Sequence, residues 1–399
     1  MDSNKEGRGS LQANSKTLLE ELKKLPIFKM SLGSKELFHS NFLEFLWEID
    51  NDGRRFVEMI NRLLSKKSQK LEDGLEYKLS REKENFDICL YHQRGQGKIY
   101  YDLIIENKVK SIPRKDQLDD YETKVKNRGD TKFLLLSLVE EFPCLNDISN
   151  WCVVSYMDLC RAIEDVYKGL DVRSQQYIND YCDFIRKMHE LQKKLVEDFK
   201  NQDYFNKEVL DEYKRLRLHD LYIKLRGSLF LSELSVKIGN AKVHIMPFNN
   251  PNNKNRSFKY EDIRDYCSSD SDVHVFLECT IQQGNGMVAA YIYKKRCVDF
   301  IYEIAIQHDQ YRHGINSKDA RYGKIDDEGL ENVWKVVYKK DSSFFDKILK
   351  KNTYPEGSYN KYKPEYVYKY VKIENESIGK LLNAMANDIE DVVKNKMMP

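Results

Sequence analysis

Three residues whose types and spacing could do chemistry stand within one stretch, FDICLYHQRGQGKIYYDLIIENKVKSIPRKDQLDDY, Phe86 to Tyr121. They are a lone aspartate, Asp87, and the acid and amine of a Glu-x-Lys triplet, Glu106 and Lys108. Two carboxylates brought to contact distance repel unless a cation lies between them, and an oxygen-only donor set favours Mg²⁺, or Mn²⁺ in its place, over zinc. A hard ion held this way lowers the pKa of water and neutralises a phosphoryl oxygen, while an ammonium two residues away can orient the attacking water. The set therefore reads as a metal-dependent phosphodiesterase site, with Lys108 handling the water. A bare Glu-x-Lys is also what an exposed salt bridge on a solvated strand face looks like, so the triplet counts only together with Asp87 and the elements around it.

Those elements follow from periodicity. Side chains two apart on a strand share a face, so Glu106 and Lys108 project together while Ile105, Asn107 and Val109 project oppositely. Residues 85–92 and 99–110 are apolar and β-prone, and Gly95 and Gly97 punctuate the turn between them, so the stretch reads as a hairpin. Antiparallel pairing about the middle of that turn sets residues whose numbers sum to roughly 191 opposite one another, and a small bulge brings Asp87 beside Glu106. The stretch after the second strand is helix-like and carries Gln117 and Tyr121 four apart on one face. Lys108, Lys110, Arg114 and Lys115 surround its start, where helix amides also favour phosphate; the plainer reading of four basic residues in eight is a solvated face.

As a set these residues resemble the core of the PD-(D/E)XK nuclease superfamily, in the branch that reads Arg-Glu, Ile-Asp-Ile, Ile-Glu-Asn-Lys and Gln-Leu-x-x-Tyr. Here the strings are Arg81-Glu82, Phe86-Asp87-Ile88, Ile105-Glu106-Asn107-Lys108 and Gln117-Leu118-Asp119-Asp120-Tyr121. The branch's upstream helix, with a glutamate, a His-Ser pair and an apolar stretch ending in tryptophan, is similar to Glu36-Leu37-Phe38-His39-Ser40 followed by NFLEFLW. The resemblance covers residues 30–160. It implies an α/β, restriction-endonuclease-like core of order αβββαβ with a mixed central sheet flanked by helices. It also implies a metal held by Glu36, Asp87, Glu106 and the backbone carbonyl of Asn107, Gln117 supporting Lys108 at the site edge, and His39 and Tyr121 near the substrate. This chain departs from the branch at Phe45 and Leu46, where a small residue is usual, and its extra acid, Glu44, leaves a second candidate for the helix carboxylate.

Composition sets outer limits. The 399 residues allow two domains with cores of their own, and 41% hydrophobic residues support globular folding beside 33% charged residues and a mean hydropathy of -0.68. No apolar run approaches the roughly 20 residues that span a bilayer, and the first residues lack a signal-peptide core, so a cytoplasmic protein is expected. Eight cysteines without a CxxC pair read as reduced core thiols. A net charge of +2 gives no gross attraction to nucleic acid, which leaves that work to local clusters. No phosphate loop of the GxxxxGK[ST] type and no internal repeat is present.

The expected organisation is a disordered segment 1–16, a nuclease domain 17–200 closed by a long helix, and an α+β accessory module 201–399 that binds nucleic acid or dimerises. Helices are expected over 17–25, 34–49, 54–64, 157–167 and 174–200, with buried strands over 132–138 and 152–156. Residues 204–239 read as helical in the first half and mixed later, with strands over 274–280, 287–294 and 300–306. The segment YPEGSYNKYKPEYVYKYVK, residues 354–372, interleaves tyrosine and lysine; it suits stacking on bases, and suits an edge strand or tyrosine-rich loop as well. Glu278 has strand-like surroundings but no lysine at the needed spacing, so it reads as an ordinary strand residue.

The functional expectation is a Mg²⁺-dependent nuclease acting on DNA, as an endo- or exonuclease; the resemblance adds a role in bacterial defence against phage or foreign DNA. Two alternatives stay open: a nucleic-acid or protein-binding module that keeps the fold, and an RNase or repair nuclease. A homodimer would suit double-strand cutting, though no interface is legible.

Overall fold

The computed structural model describes residues 17–32, 37–49, 52–95, 97–110, 113, 115–125, 130–139, 148–197, 199–239, 241–246, 272–282, 285–294, 301–316, 360–362, 366–373 and 375–396. Segment 1–16 and the sequence candidates Glu36 and Arg114 lie outside them, as does the side chain of Lys115. The chain divides into two compact units, Met1–Glu197 with Tyr213–Leu221, and Asp198–Glu212 with Tyr222–Pro399. Where the sequence suggests one break at 200/201, the division is discontinuous.

In the first unit a helix over 17–24 (α1) and α2 (Pro26–Ser31) precede α3 (Leu37–Glu48) and α4 (Arg54–Leu64). The hairpin region follows as β1 (Lys78–Arg81), β2 (Ile88–Arg94) and β3 (Lys98–Lys108), then α5 (Lys115–Val125), β4 (Lys132–Ser137), β5 (Trp151–Ser155), α6 (Tyr156–Val166) and α7 (Val172–Val196). The five strands form one sheet in chain order; β1, β2 and β3 are antiparallel neighbours, and β3, β4 and β5 run parallel. This is a mixed α/β sheet of the restriction-endonuclease-like kind. Relative to the expected elements, β1 supplies the third strand of the βββ run, and Tyr156 opens a helix instead of closing a strand, because Ser155 caps it by accepting the Asp158 amide at 3.1 Å.

Each element forms for a local reason. In α4, Phe56, Met59, Ile60, Leu63 and Leu64 are buried at helical spacing while Arg54, Glu58 and Arg62 face out. In β4 the run Leu134, Leu135 and Leu136 is buried without alternation, as a parallel strand covered on both faces must be. One face carries α5, whose Leu118, Tyr121 and Val125 pack with Phe86, Tyr101, Ile104, Leu135 and Trp151. On the other face the α3 residue Ser40 and the α6 residue Tyr156 hydrogen-bond Asn107 of β3.

The hairpin register departs slightly from one centred on the turn. Arg94 faces Lys98 and Ile88 faces Ile105, with a shift between Leu90 and Tyr91. The extra residue is Asp102 on β3, since Leu90 and Tyr91 face Leu103 and Tyr101. A bulge of this kind resets the alternation, so Tyr101 and Ile104, three apart, share one core.

The second unit holds a seven-stranded sheet in the order β11-β12-β10-β9-β8-β7-β6. Its strands are β6 (Lys242–Ile245), β7 (Val273–Gln282), β8 (Asn285–Lys294), β9 (Ile301–Gln307), β10 (Gln310–Asn316), β11 (Asn360–Tyr362) and β12 (Tyr366–Lys372), antiparallel except β6 with β7. Helices α8 (Lys207–Arg215) and α9 (His219–Lys237) precede it and α10 (Ile378–Lys396) closes the chain. Contrary to the mixed reading of 204–239, α9 is helical almost throughout; Leu221, Tyr222, Leu225, Phe230, Leu231 and Leu234 bury so much of its circumference that no amphipathic stripe marks it. Glu278 is a buried strand residue that accepts the Tyr291 hydroxyl at 3.0 Å. Among the described residues five cysteines, 89, 152, 160, 182 and 279, are buried free thiols, and no helix is long and apolar enough to cross a membrane.

The turn from α3 into α4 depends on Gly53, which has φ +69° and whose missing Cβ would fall inside the van der Waals envelope of the Trp47 ring. Gly53→Ala should therefore cost roughly 1–3 kcal/mol through left-handed strain and displacement of Trp47. Urea unfolding checks this, and an unchanged midpoint would remove the constraint.

Candidate active site

Alternation along β3 sorts the end of the strand. Glu106 and Lys108 project to the α5 face, and Glu106 is fully buried with the Lys108 ammonium paired against its Oε1. Asn107 projects the other way: its Nδ2 donates to Ser40 Oγ at 2.9 Å and its Oδ1 accepts the Tyr156 hydroxyl at 2.9 Å. Its backbone N–H donates to Asp87 Oδ2 at 2.8 Å, which ties the aspartate to the segment between Glu106 and Lys108. Asp87 stands immediately before β2, whose first residue, Ile88, faces Ile105, the residue before Glu106.

The approach to Asp87 is a strained loop. Glu82, Glu84 and Asn85 all have positive φ, at 52°, 55° and 68°, a conformation costing of order 1 kcal/mol or more for each non-glycine residue. Helix α5 holds this loop. Gln117 Nε2 donates to the Tyr121 hydroxyl at 3.1 Å, Tyr121 donates to Asn85 O at 2.7 Å, and Lys124 Nζ donates to Glu84 O at 3.0 Å. From beneath, the Tyr101 hydroxyl donates to Glu84 Oε1 at 2.8 Å. Burial first, and then the negative charge of Glu106, raise the Tyr121 phenol far above its ordinary pKa, so it stays a neutral donor.

Neither oxygen of buried Glu106 receives a hydrogen bond, and its ion-pair partner is Lys108. A fully buried carboxylate whose pairing is one ammonium is costly to hold in the apolar interior, and a second carboxylate, Asp87, stands one residue before the neighbouring strand. That fits a cation. The described residues contain no cluster of three or more His, Cys, Asp or Glu side chains able to hold a metal, so Asp87 and Glu106 supply two carboxylates and Glu36 is not described.

Several sequence candidates stand elsewhere. His39 is buried on the face opposite Glu106, stacked on Phe184 and hydrogen-bonded through Nδ1 to the Tyr181 hydroxyl at 2.9 Å. Lys110 is also buried, its ammonium donating to Ser31 O at 2.9 Å. Tyr121 is buried too, but its hydroxyl lies within reach of the Glu106 charge and joins Gln117 to the loop before Asp87. The alternative helix acid Glu44 is engaged by Arg81 Nε at 2.5 Å, and Arg81 also reaches Asn41. Sequence reasoning missed Tyr156 and Asn85: the first shows only as the residue after an apolar run, while asparagine before Phe86 is a residue that tolerates positive φ and could have flagged the loop.

The first unit is thus a mixed-sheet α/β domain of the restriction-endonuclease-like kind that carries Asp87, Glu106 and Lys108 at one strand end. Residues 26–201, under half of the chain, match the family model described as PD-(D/E)XK nuclease superfamily. The family suggests a nuclease, hence nucleic acid as substrate, and its members typically use divalent metal ions. No curated protein and no solved structure matches the chain.

Burial, with the Lys110 charge adding to it, holds the His39 imidazole well below its ordinary pKa. The unfolded chain then binds the proton near pH 6.5 while the folded chain does not, so stability should fall as pH drops below about 6.5, by up to about 1.4 kcal/mol per unit from this group. Urea unfolding of wild type and His39→Gln at pH 7.5 and pH 5 tests it. The variant should lose part of the acid sensitivity, and identical pH slopes would count against a neutral buried histidine.

Proposed function

We propose that the first unit is a Mg²⁺-dependent nuclease hydrolysing phosphodiester bonds in DNA, with Mn²⁺ able to substitute. The observation that carries this reading is buried Glu106, whose oxygens lack hydrogen-bond donors beside the Lys108 ammonium, tied through Asn107 to Asp87. Asp87, Glu106, the Asn107 carbonyl and Glu36 would hold the ion, which supplies Lewis acidity toward water and a phosphoryl oxygen. Lys108 orients the attacking water and steadies charge building on the phosphoryl group. Gln117 acts through Tyr121 and the loop before Asp87, which fixes the carboxylate's position. Arg114 and Lys115, at the start of α5, would take the phosphate backbone. A cytoplasmic protein acting against phage or other foreign DNA, as a homodimer where both strands are cut, is the setting this reading proposes.

Plasmid, linear duplex, single-stranded DNA and RNA, each with Mg²⁺, Mn²⁺ or EDTA, distinguish the substrates. Cleavage of DNA is expected with either ion and none with EDTA. Glu106→Ala and Lys108→Ala should each lower it by roughly 10²–10³-fold or more while circular dichroism stays unchanged. Either ion should raise the Tm of wild type and not of Glu106→Ala. Retained cleavage in both variants would refute the assignment.

A further inference from the structure

Of the tyrosine-rich segment 354–372, β11 is the edge strand of the sheet and β12 is the strand next to it. β12 lies between β11 and β10, with Tyr366, Tyr368 and Tyr370 opposite Asn316, Gly314 and Arg312. Val371, of opposite parity, is buried, while the three tyrosines are half-buried on the other face. They form a row. Tyr366 and Tyr368 have ring centroids 5.3 Å apart at 21°, and Tyr368 and Tyr370 are 6.3 Å apart at 33°. Gly314 makes the row possible, because a Cβ there would collide with the Tyr366 ring, whose hydroxyl crosses β10 to donate to buried Glu303 at 2.7 Å.

A cation is fixed on this row. The Arg312 guanidinium lies over the Tyr368 ring at 4.9 Å; its Nε donates to Gln310 Oε1 at 2.9 Å and its Nη1 to Gln307 Oε1. Both holding groups are neutral amides, so the guanidinium is oriented but not neutralised, and among the described residues no carboxylate is paired with it. Exposed Lys372 stands opposite Gln310, on the same face. Aromatic faces with an oriented, unneutralised arginine suit bases that are free to stack and phosphates that follow them. Duplex bases are stacked on one another and cannot use such a row.

We infer that the Tyr366–Tyr368–Tyr370 row with Arg312 is a binding platform for single-stranded nucleic acid, separate from the cleavage chemistry of the first unit. Bases stack on the tyrosine rings and the guanidinium plane, and Arg312 and Lys372 meet the phosphates. This inference rests on the reading that nucleic acid is the protein's substrate.

Fluorescence anisotropy of labelled dT and rU oligonucleotides and of a duplex of equal length, with the full chain in EDTA, tests it. Wild type should bind the single strands more tightly than the duplex. Tyr368→Leu and Arg312→Gln should each weaken single-strand binding about ten-fold, Tyr368→Phe should retain it, and Arg312→Gln should lower the salt slope by about one ion. Tm values for all variants identify any that fails to fold, and Arg312→Gln carries the test if Tyr368→Leu does. Wild-type affinity in folded Tyr368→Leu and Arg312→Gln, or equal affinity for duplex, overturns the platform. Cleavage assayed separately with Mg²⁺ keeps the two readings apart: no cleavage with Tyr368-dependent binding sinks the nuclease reading alone, and cleavage with Tyr368-independent binding sinks the platform alone.

Discussion

Asn107 is held from both sides of its strand, and the arrangement of the first unit around the proposed site hangs on that fact. Its amide side chain joins Ser40 of α3 to Tyr156 of α6, while its backbone N–H holds the Asp87 carboxylate. Because strand side chains alternate, fixing Asn107 on one face fixes Glu106 and Lys108 on the other. Each hydrogen bond contributes only about 1 kcal/mol net, yet leaving a buried amide unpaired costs more than the bond gains, so the register at this point has little freedom. The strand end is therefore positioned before any ligand arrives.

The cost of the site is concentrated nearby. Glu106 is buried with its oxygens unserved by hydrogen bonds, and three non-glycine residues before Asp87 adopt left-handed backbone. Neither feature favours folding, and both are offset by surrounding apolar packing, in which Phe86, Tyr101, Tyr121 and Trp151 contribute large buried rings. Tyr121 ties α5 to the loop before Asp87: its hydroxyl accepts from Gln117 and donates to Asn85 O.

Much of the first unit was legible in the sequence because its signals are local. The spacing of apolar residues marked α4 with its bounds, the glycine pair marked the hairpin turn, and the unbroken leucines marked a buried strand. What was not legible depends on tertiary partners. The sequence offers His39 and Lys110 as polar groups near a site, and only the packing of α2, α3 and α7 shows that both are buried. α9 escaped a helical reading over its second half since a helix buried nearly all round has no polar stripe to betray its period. In β12 the alternation of tyrosine was visible, but its interior place in the sheet follows from pairing with β11 and β10, which no local pattern specifies.

The single extra residue at Asp102 divides the hairpin into two halves with independent phase. On the inner side the rungs run from Leu90 and Leu103 to Ile88 and Ile105, and on the outer side from Tyr91 and Tyr101 to the glycine turn. A slip or length change at the tip re-pairs only the outer half, since the offset can be absorbed at the irregular rung. The hairpin tip is thereby insulated from the Glu106 end of β3, free to vary in length and composition while the inner rungs keep their alignment.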